Sequence, residues 1–115
     1  MKENKIQSTS FQWYWNNYCL KSCNPRGFMF SVPNELAGSN KLSMMQAKAM
    51  GLVPGVSDTI VLLPNGKTLY CEFKDEKGKQ SDKQKEFEQI IKNLGHTYIL
   101  IRSFEEFKNE ILSRL

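Results

Sequence analysis

A single α/β domain built on a small central sheet is what the 115-residue sequence predicts. The first ground is a hairpin. Within Gly55–Lys74 two apolar runs flank Pro64-Asn65-Gly66, a strong turn signal. The second is the near-continuous apolar run His96–Ile101, as expected of a central strand. The third is the way such runs alternate with helical periodicity. The order is helix, strand, helix, strand, strand, helix, strand, helix, which suits a mixed α/β layer fold. No internal repeat, low-complexity tract or linker divides the chain, so one domain is expected over residues 1–115.

Each element has its own local reason. A first helix is expected from about Lys2 to Lys21, with Ile6, Trp13, Tyr14, Trp15, Tyr18 and Leu20 as apolar bulk and no Gly or Pro before Pro25. With Phe11, its aromatics could form a stacking platform for bases or pack in the core and a subunit contact. The helical spacing favours packing. Asn24-Pro25-Arg26-Gly27 reads as a turn and Phe28–Val32 as a short strand stopped by Pro33-Asn34. Glu35–Asn40 reads as a loop. Leu42, Met45 and Ala49 then repeat at helical spacing from about Lys41 to Met50, and Gly51 is the stop.

In the second hairpin strand, side chains two apart share a face. Leu69, Cys71 and Phe73 therefore point to the core, while Glu72 and Lys74 project together on the other side. A polar loop follows. Ser81 with Gln84 spells a capping box, and Phe87, Ile90, Ile91 and Leu94 make an apolar stripe that Gly95 ends. Ser103 with Glu106 is a second capping box. Phe104, Phe107 and Ile111 carry the last helix toward Leu115.

Composition narrows the classes of function. With 40% hydrophobic and 24% charged residues the chain is an ordinary globular one. No apolar run approaches the ~20 residues of a membrane-spanning helix, so no membrane partner is expected. Residues 1–7 lack the apolar stretch of a secretory signal, which predicts a cytoplasmic location, that of a host cell if the protein is phage-encoded. Cys19, Cys23 and Cys71 contain no Cys-x-x-Cys pair, and His96 is the single histidine. Reduced thiols are expected, not a zinc site. A net charge of +4 permits a polyanionic partner without demanding one.

The chemistry lies in Asp58, Glu72 and Lys74. Asp58 opens one hairpin strand and Glu72 lies late in the other, so the two carboxylates can meet in space. Hard divalent cations take such oxygen ligands, and Mg²⁺ needs only one or two carboxylates beside its waters. The backbone carbonyl of Phe73 is a natural further ligand. Lys74 on the Glu72 face could orient the attacking water or stabilise charge on phosphorus, which suits phosphodiester hydrolysis. The same spacing also fits a solvent-facing Glu–Lys pair of small energetic weight.

The pattern Pro54-Gly55-Val56-Ser57-Asp58, Glu72-Phe73-Lys74 and Gly78-Lys79-Gln80-Ser81-Asp82-Lys83-Gln84 closely resembles the VRR-NUC domain family of the PD-(D/E)xK nuclease superfamily. Glu3 and Gln7 resemble the family's opening Glu-x-x-x-Gln. Pro33-Asn34 with Ala47-Lys48-Ala49-Met50-Gly51 resembles its middle segment, and Gly95 with the strand through Arg102-Ser103 also fits. The likeness covers nearly the whole chain. It implies a restriction-endonuclease-like core and a Mg²⁺- or Mn²⁺-dependent deoxyribonuclease. Asp58 and Glu72 match the metal-binding acids and Lys74 the catalytic lysine. Glu3 resembles a first-helix acid that completes the metal shell, and Gln84 the helix glutamine near the metal. Ser57 departs from the superfamily's proline. Lys77 and Lys79 are candidate DNA-backbone contacts in a loop that also carries Asp75 and Glu76.

Compact stand-alone members of this family resemble Holliday junction resolvases in fold, which implies branched DNA as substrate. Two symmetric cuts across a four-way junction imply a twofold homodimer. A less specific flap, single-strand or duplex nuclease, and a non-catalytic DNA-binding module of the same fold, are the alternatives.

Overall fold

The computed structural model describes residues 2–19, 26–33 and 41–115. The turn at Asn24-Pro25, the loop Glu35–Asn40, Cys23 and the last two residues of the predicted first helix lie outside them. The elements run α1 (Glu3–Tyr14), β1 (Phe28–Ser31), α2 (Lys41–Ala49), β2 (Thr59–Leu63), β3 (Lys67–Phe73), α3 (Asp82–Asn93), β4 (Thr97–Ile101) and α4 (Phe104–Leu112). Sheet order is β1-β2-β3-β4. The first three strands pair antiparallel and β4 joins β3 in parallel. This is the predicted mixed sheet in the predicted element order, with helices on both faces.

The hairpin turn forms where the Asn-Gly step placed it. Asn65 (φ 67°) and Gly66 (φ 73°) both take the left-handed conformation that this pair tolerates. One face of β3 builds the core. Leu69, Cys71 and Phe73 are fully buried with Met29, Val61 and Ile101 against Ile6, Tyr14, Phe107 and Ile111 of α1 and α4. The aromatics of α1 are mainly packing groups, as their spacing suggested. Trp13 meets Phe104 and Phe107 edge-on, and Tyr14 is wholly buried.

Several expectations need correction. The first helix does not stay α-helical to its end: Trp15–Cys19 is a π-helical turn. Side-chain and backbone ties pull this segment toward β1. Trp15 Nε1 donates to the Met29 carbonyl at 2.6 Å, and Arg26 N–H donates to the Tyr18 carbonyl at 2.8 Å. The strand His96–Ile101 is not central. It begins at Thr97 and forms the β4 edge, and its apolar run reflects helices packing on both of its faces. The α3 stripe is rotated from its prediction. Ile91 is buried and Phe87 half-buried, while Ile90 and Leu94 are exposed. The inward positions include Gln84 and Glu88, because the sheet beneath presents Glu72 and Tyr98. In α2, Met45 and Ala49 are exposed, so the stripe there does not pack into the core.

Candidate metal centre and active site

Antiparallel pairing puts the start of β2 beside the end of β3. The register Thr59↔Cys71 places Asp58 opposite Glu72. The Asp58 side chain reaches across the ladder, where its Oδ2 accepts the Phe73 backbone N–H at 2.8 Å. In such a ladder one residue's N–H and C=O point to the same neighbouring strand. Lys74 N–H turns instead to β4, donating to the Ile101 carbonyl at 2.9 Å. The Phe73 carbonyl is thus directed to the Asp58 side.

Glu72 has no exposed surface. Its Oε1 accepts the Gln84 Nε2 amide at 2.7 Å, and its Oε2 is buried without a hydrogen-bond partner. The Asp58 carboxyl lies in side-chain contact with it. Burial first, then the Asp58 side chain within hydrogen-bonding reach and its charge, push the Glu72 pKa up to about 9, while the Lys74 ammonium and the Asp58 backbone amide pull it down. Two acceptor groups face each other, and a proton or a cation is what relieves such a pair. The orphaned Oε2, the facing Asp58 carboxylate and the Phe73 carbonyl fit a hard, oxygen-seeking divalent ion.

Gln84 closes a capping box and also reaches Glu72. Its Oε1 accepts the Ser81 N–H at 2.8 Å and the Ser81 hydroxyl accepts the Gln84 N–H at 3.2 Å, closing the capping box. The box fixes which end of the amide faces Glu72, so Nε2 is left to donate to the carboxylate. The first turn of α3 is seated by Gly55. A Cβ on this glycine (φ +87°) would sit 2.8 Å from the Gln84 amide nitrogen and overlap the Lys83 carbonyl group. Only glycine satisfies both the backbone conformation and the close approach.

Lys74 runs over the loop that follows β3, its Cδ 3.4 Å from where a Cβ on Gly78 would lie. That loop is a built turn. Asp75 Oδ1 accepts the backbone N–H groups of Lys77 and Gly78, and Arg102 Nη1 donates to the Asp75 and Gly78 carbonyls, both at 2.7 Å. The acidic residue there is a turn former. Behind Glu72, Gln80 Nε2 donates to Glu88 Oε1 at 3.0 Å and to the Tyr98 hydroxyl at 3.2 Å. Burial, with the nearby Glu72 charge, holds the Tyr98 phenol protonated.

Asp58, Glu72, Phe73, Lys74 and Gln84 are therefore brought together at one end of the sheet. Among the described residues no three His, Cys, Asp or Glu side chains form a single ion-holding group, so Glu3 is not gathered with Asp58 and Glu72 into a three-acid cluster. It opens α1, whose residues Asn4 and Gln7 share a hollow with Ser31 and Thr59 at this same end. Lys79 is exposed. Lys77 lines a shallow hollow with Lys2, Asp75 and Glu76. Gly55, Gln80, Tyr98 and Arg102 are the supporting residues that reading the sequence for reactive side chains passes over. A glycine beside Pro54 and an arginine at a strand end were the available signals.

Two solved structures share this architecture along the whole chain. A VRR_NUC domain protein superposes with a TM-score of 0.75 at 17% identity, over 100% of this chain and 88% of its own. A VRR_NUC domain superposes with a TM-score of 0.65 at 18% identity, over 100% of this chain and 99% of its own. No family model matches the sequence, and no curated protein matches it. At these identities the likeness establishes the fold. The chain has the α/β fold of these VRR_NUC domain structures.

Proposed function

We propose that this protein is a Mg²⁺- or Mn²⁺-dependent, structure-selective DNA endonuclease that acts on branched substrates in the manner of a Holliday junction resolvase. The observation that carries this reading is the buried Glu72, with its unpartnered Oε2, against the half-buried Asp58 and beside Lys74 on a VRR_NUC fold. Asp58, Glu72 and the Phe73 carbonyl would hold the ion, which would supply Lewis-acid stabilisation of the phosphate and a more acidic water. Gln84 fixes Glu72 Oε1 and leaves Oε2 without a protein partner. Lys74 offsets the charge that grows on the phosphoryl oxygens. In the reaction a water oxygen bonds to phosphorus and gives up a proton. The phosphorus–sugar oxygen bond breaks, and the departing oxygen is protonated. One phosphodiester thus becomes a phosphate end and a hydroxyl end.

Cleavage of labelled four-way junctions, flaps, single strands and linear duplex with Mg²⁺, Mn²⁺ or EDTA tests the reading. Junction cleavage that needs the metal and is lost in Glu72→Ala supports it. Equal cleavage of duplex and junction replaces the resolvase with a loosely selective nuclease, and binding without cleavage leaves a DNA-binding module. The symmetric pair of cuts makes a homodimer the natural assembly. A monomer by light scattering at micromolar concentration would contradict that part.

A further inference from the structure

We propose that the cleft between α2 and the first turn of α3 is a subsite for backbone phosphates of the DNA strand that passes the acid pair, with Lys48 and Lys83 as its phosphate-binding side chains. The proposal rests on the nuclease reading above and adds where the strand runs. The cleft has a volume of about 360 Å³. Lys48 lines it from α2, Ser81 and Lys83 from the start of α3, and Leu52 and Pro54 add apolar surface suited to sugar and base edges.

Three observations single it out. The first is continuity. Gln84 lines the cleft and also holds Glu72 Oε1 at 2.7 Å, so the cleft adjoins the acid pair itself. The second is charge. Its two lysines come from separate elements, and no acid is among the described residues that line it. The hollow beside Lys77 instead sets Asp75 and Glu76 against Lys2 and Lys77. The hollow with Lys67, His96 and Arg114 lies at the far end of the sheet, where Arg114 is already paired with Glu110. The third is availability. Lys83 meets Glu86 at 3.6 Å, but both side chains are about two-thirds exposed. Such a pair is worth about 0–1 kcal/mol and yields to a phosphate. The positive end of the α3 dipole adds to the same field.

The test is DNA binding by fluorescence anisotropy in EDTA across a KCl series, with Mn²⁺ calorimetry alongside. Wild type, the Lys48→Ala/Lys83→Ala double variant and Lys67→Ala are compared on a labelled four-way junction. Each lost phosphate contact removes about 0.7–0.9 from the slope of log affinity against log salt. The double variant is expected to bind at least tenfold more weakly at low salt, with its slope flattened by roughly 1.4–1.8. Its Mn²⁺ affinity should match wild type, and Lys67→Ala should change neither quantity. Unchanged affinity and slope in the double variant overturn the subsite, and so does weaker binding with an unchanged slope. Wild-type protein that neither binds nor cleaves DNA overturns the nuclease reading itself.

Discussion

The two faces of β3 alternate along one short strand and follow opposite rules. Leu69, Cys71 and Phe73 turn inward and belong to the buried apolar cluster. Burial of this kind stabilises by about 1.5–3 kcal/mol for each large side chain. Glu72 lies between Cys71 and Phe73 and is as completely buried as they are, yet one of its oxygens has no partner and the other depends on an amide from α3. Burying a carboxyl this way costs free energy unless it is paired. The same backbone thus builds the hydrophobic core on one side and a buried, half-partnered carboxyl on the other. The core face gives the site face the rigidity it needs.

The largest expected effect comes from exchanging the rules. Phe73→Ala should cost about 3–5 kcal/mol of folding stability through the cavity it leaves, read as a lowered midpoint in denaturant. Glu72→Gln should do the reverse. It removes a carboxyl that must take up a proton to be buried, so the metal-free protein melts higher near neutral pH while DNA cleavage falls at least a thousandfold. A variant that melts lower and still cleaves would erase the distinction between the faces.

Gly55→Ala is next. The added methyl group must push back the first turn of α3, carrying Gln84 away from Glu72. Turnover should fall about 10–100-fold, the usual range for residues that orient metal ligands. Most of that loss should disappear when the change is made in a Gln84→Ala background, because the two substitutions disturb one contact. Additive losses in the kinetic cycle would show that Gly55 acts elsewhere.

A smaller effect concerns pH. The Glu72 pKa is raised in the folded state, to about 9 from an ordinary 4.5, so the native metal-free protein holds a proton that the unfolded chain releases. That stabilisation is complete below about pH 4.5. It is lost as pH rises toward 9, by about 1.4 kcal/mol per unit at the steepest. Thermal melts in EDTA from pH 5 to 9 should show this decline superimposed on the protein's other titrations, and Glu72→Gln should remove it. A wild-type curve parallel to the variant's would contradict the burial argument.

The architecture was legible where local signals were strong and mutually consistent. The Asn65-Gly66 turn, the Ser81 and Ser103 caps and the period-two pattern of Leu69, Cys71 and Phe73 each specify a local conformation, and the fold assembles from them. The Ser103 cap forms only in part, since Glu106 takes the Arg102 N–H in place of closing the box. The convergence of Asp58 and Glu72 was also legible, because a hairpin brings its first and last residues together. What could not be read was set by tertiary neighbours. A periodic stripe does not reveal that α3 turns Gln84 and Glu88 inward to serve a polar sheet face. An apolar strand covered on both sides reads the same at an edge as at the centre. The role of Gly55 depends on a helix that begins 27 residues later in the chain.

Calorimetric titration with Mn²⁺ of wild type, Glu72→Gln and Lys74→Ala is the most direct test of the paired carboxylates. Wild type and Lys74→Ala should bind the ion alike, although only wild type cleaves DNA, and Glu72→Gln should give no binding heat. Undiminished binding by Glu72→Gln, or binding lost in Lys74→Ala, would contradict the assignment of the ion to the two acids and of charge stabilisation to the lysine.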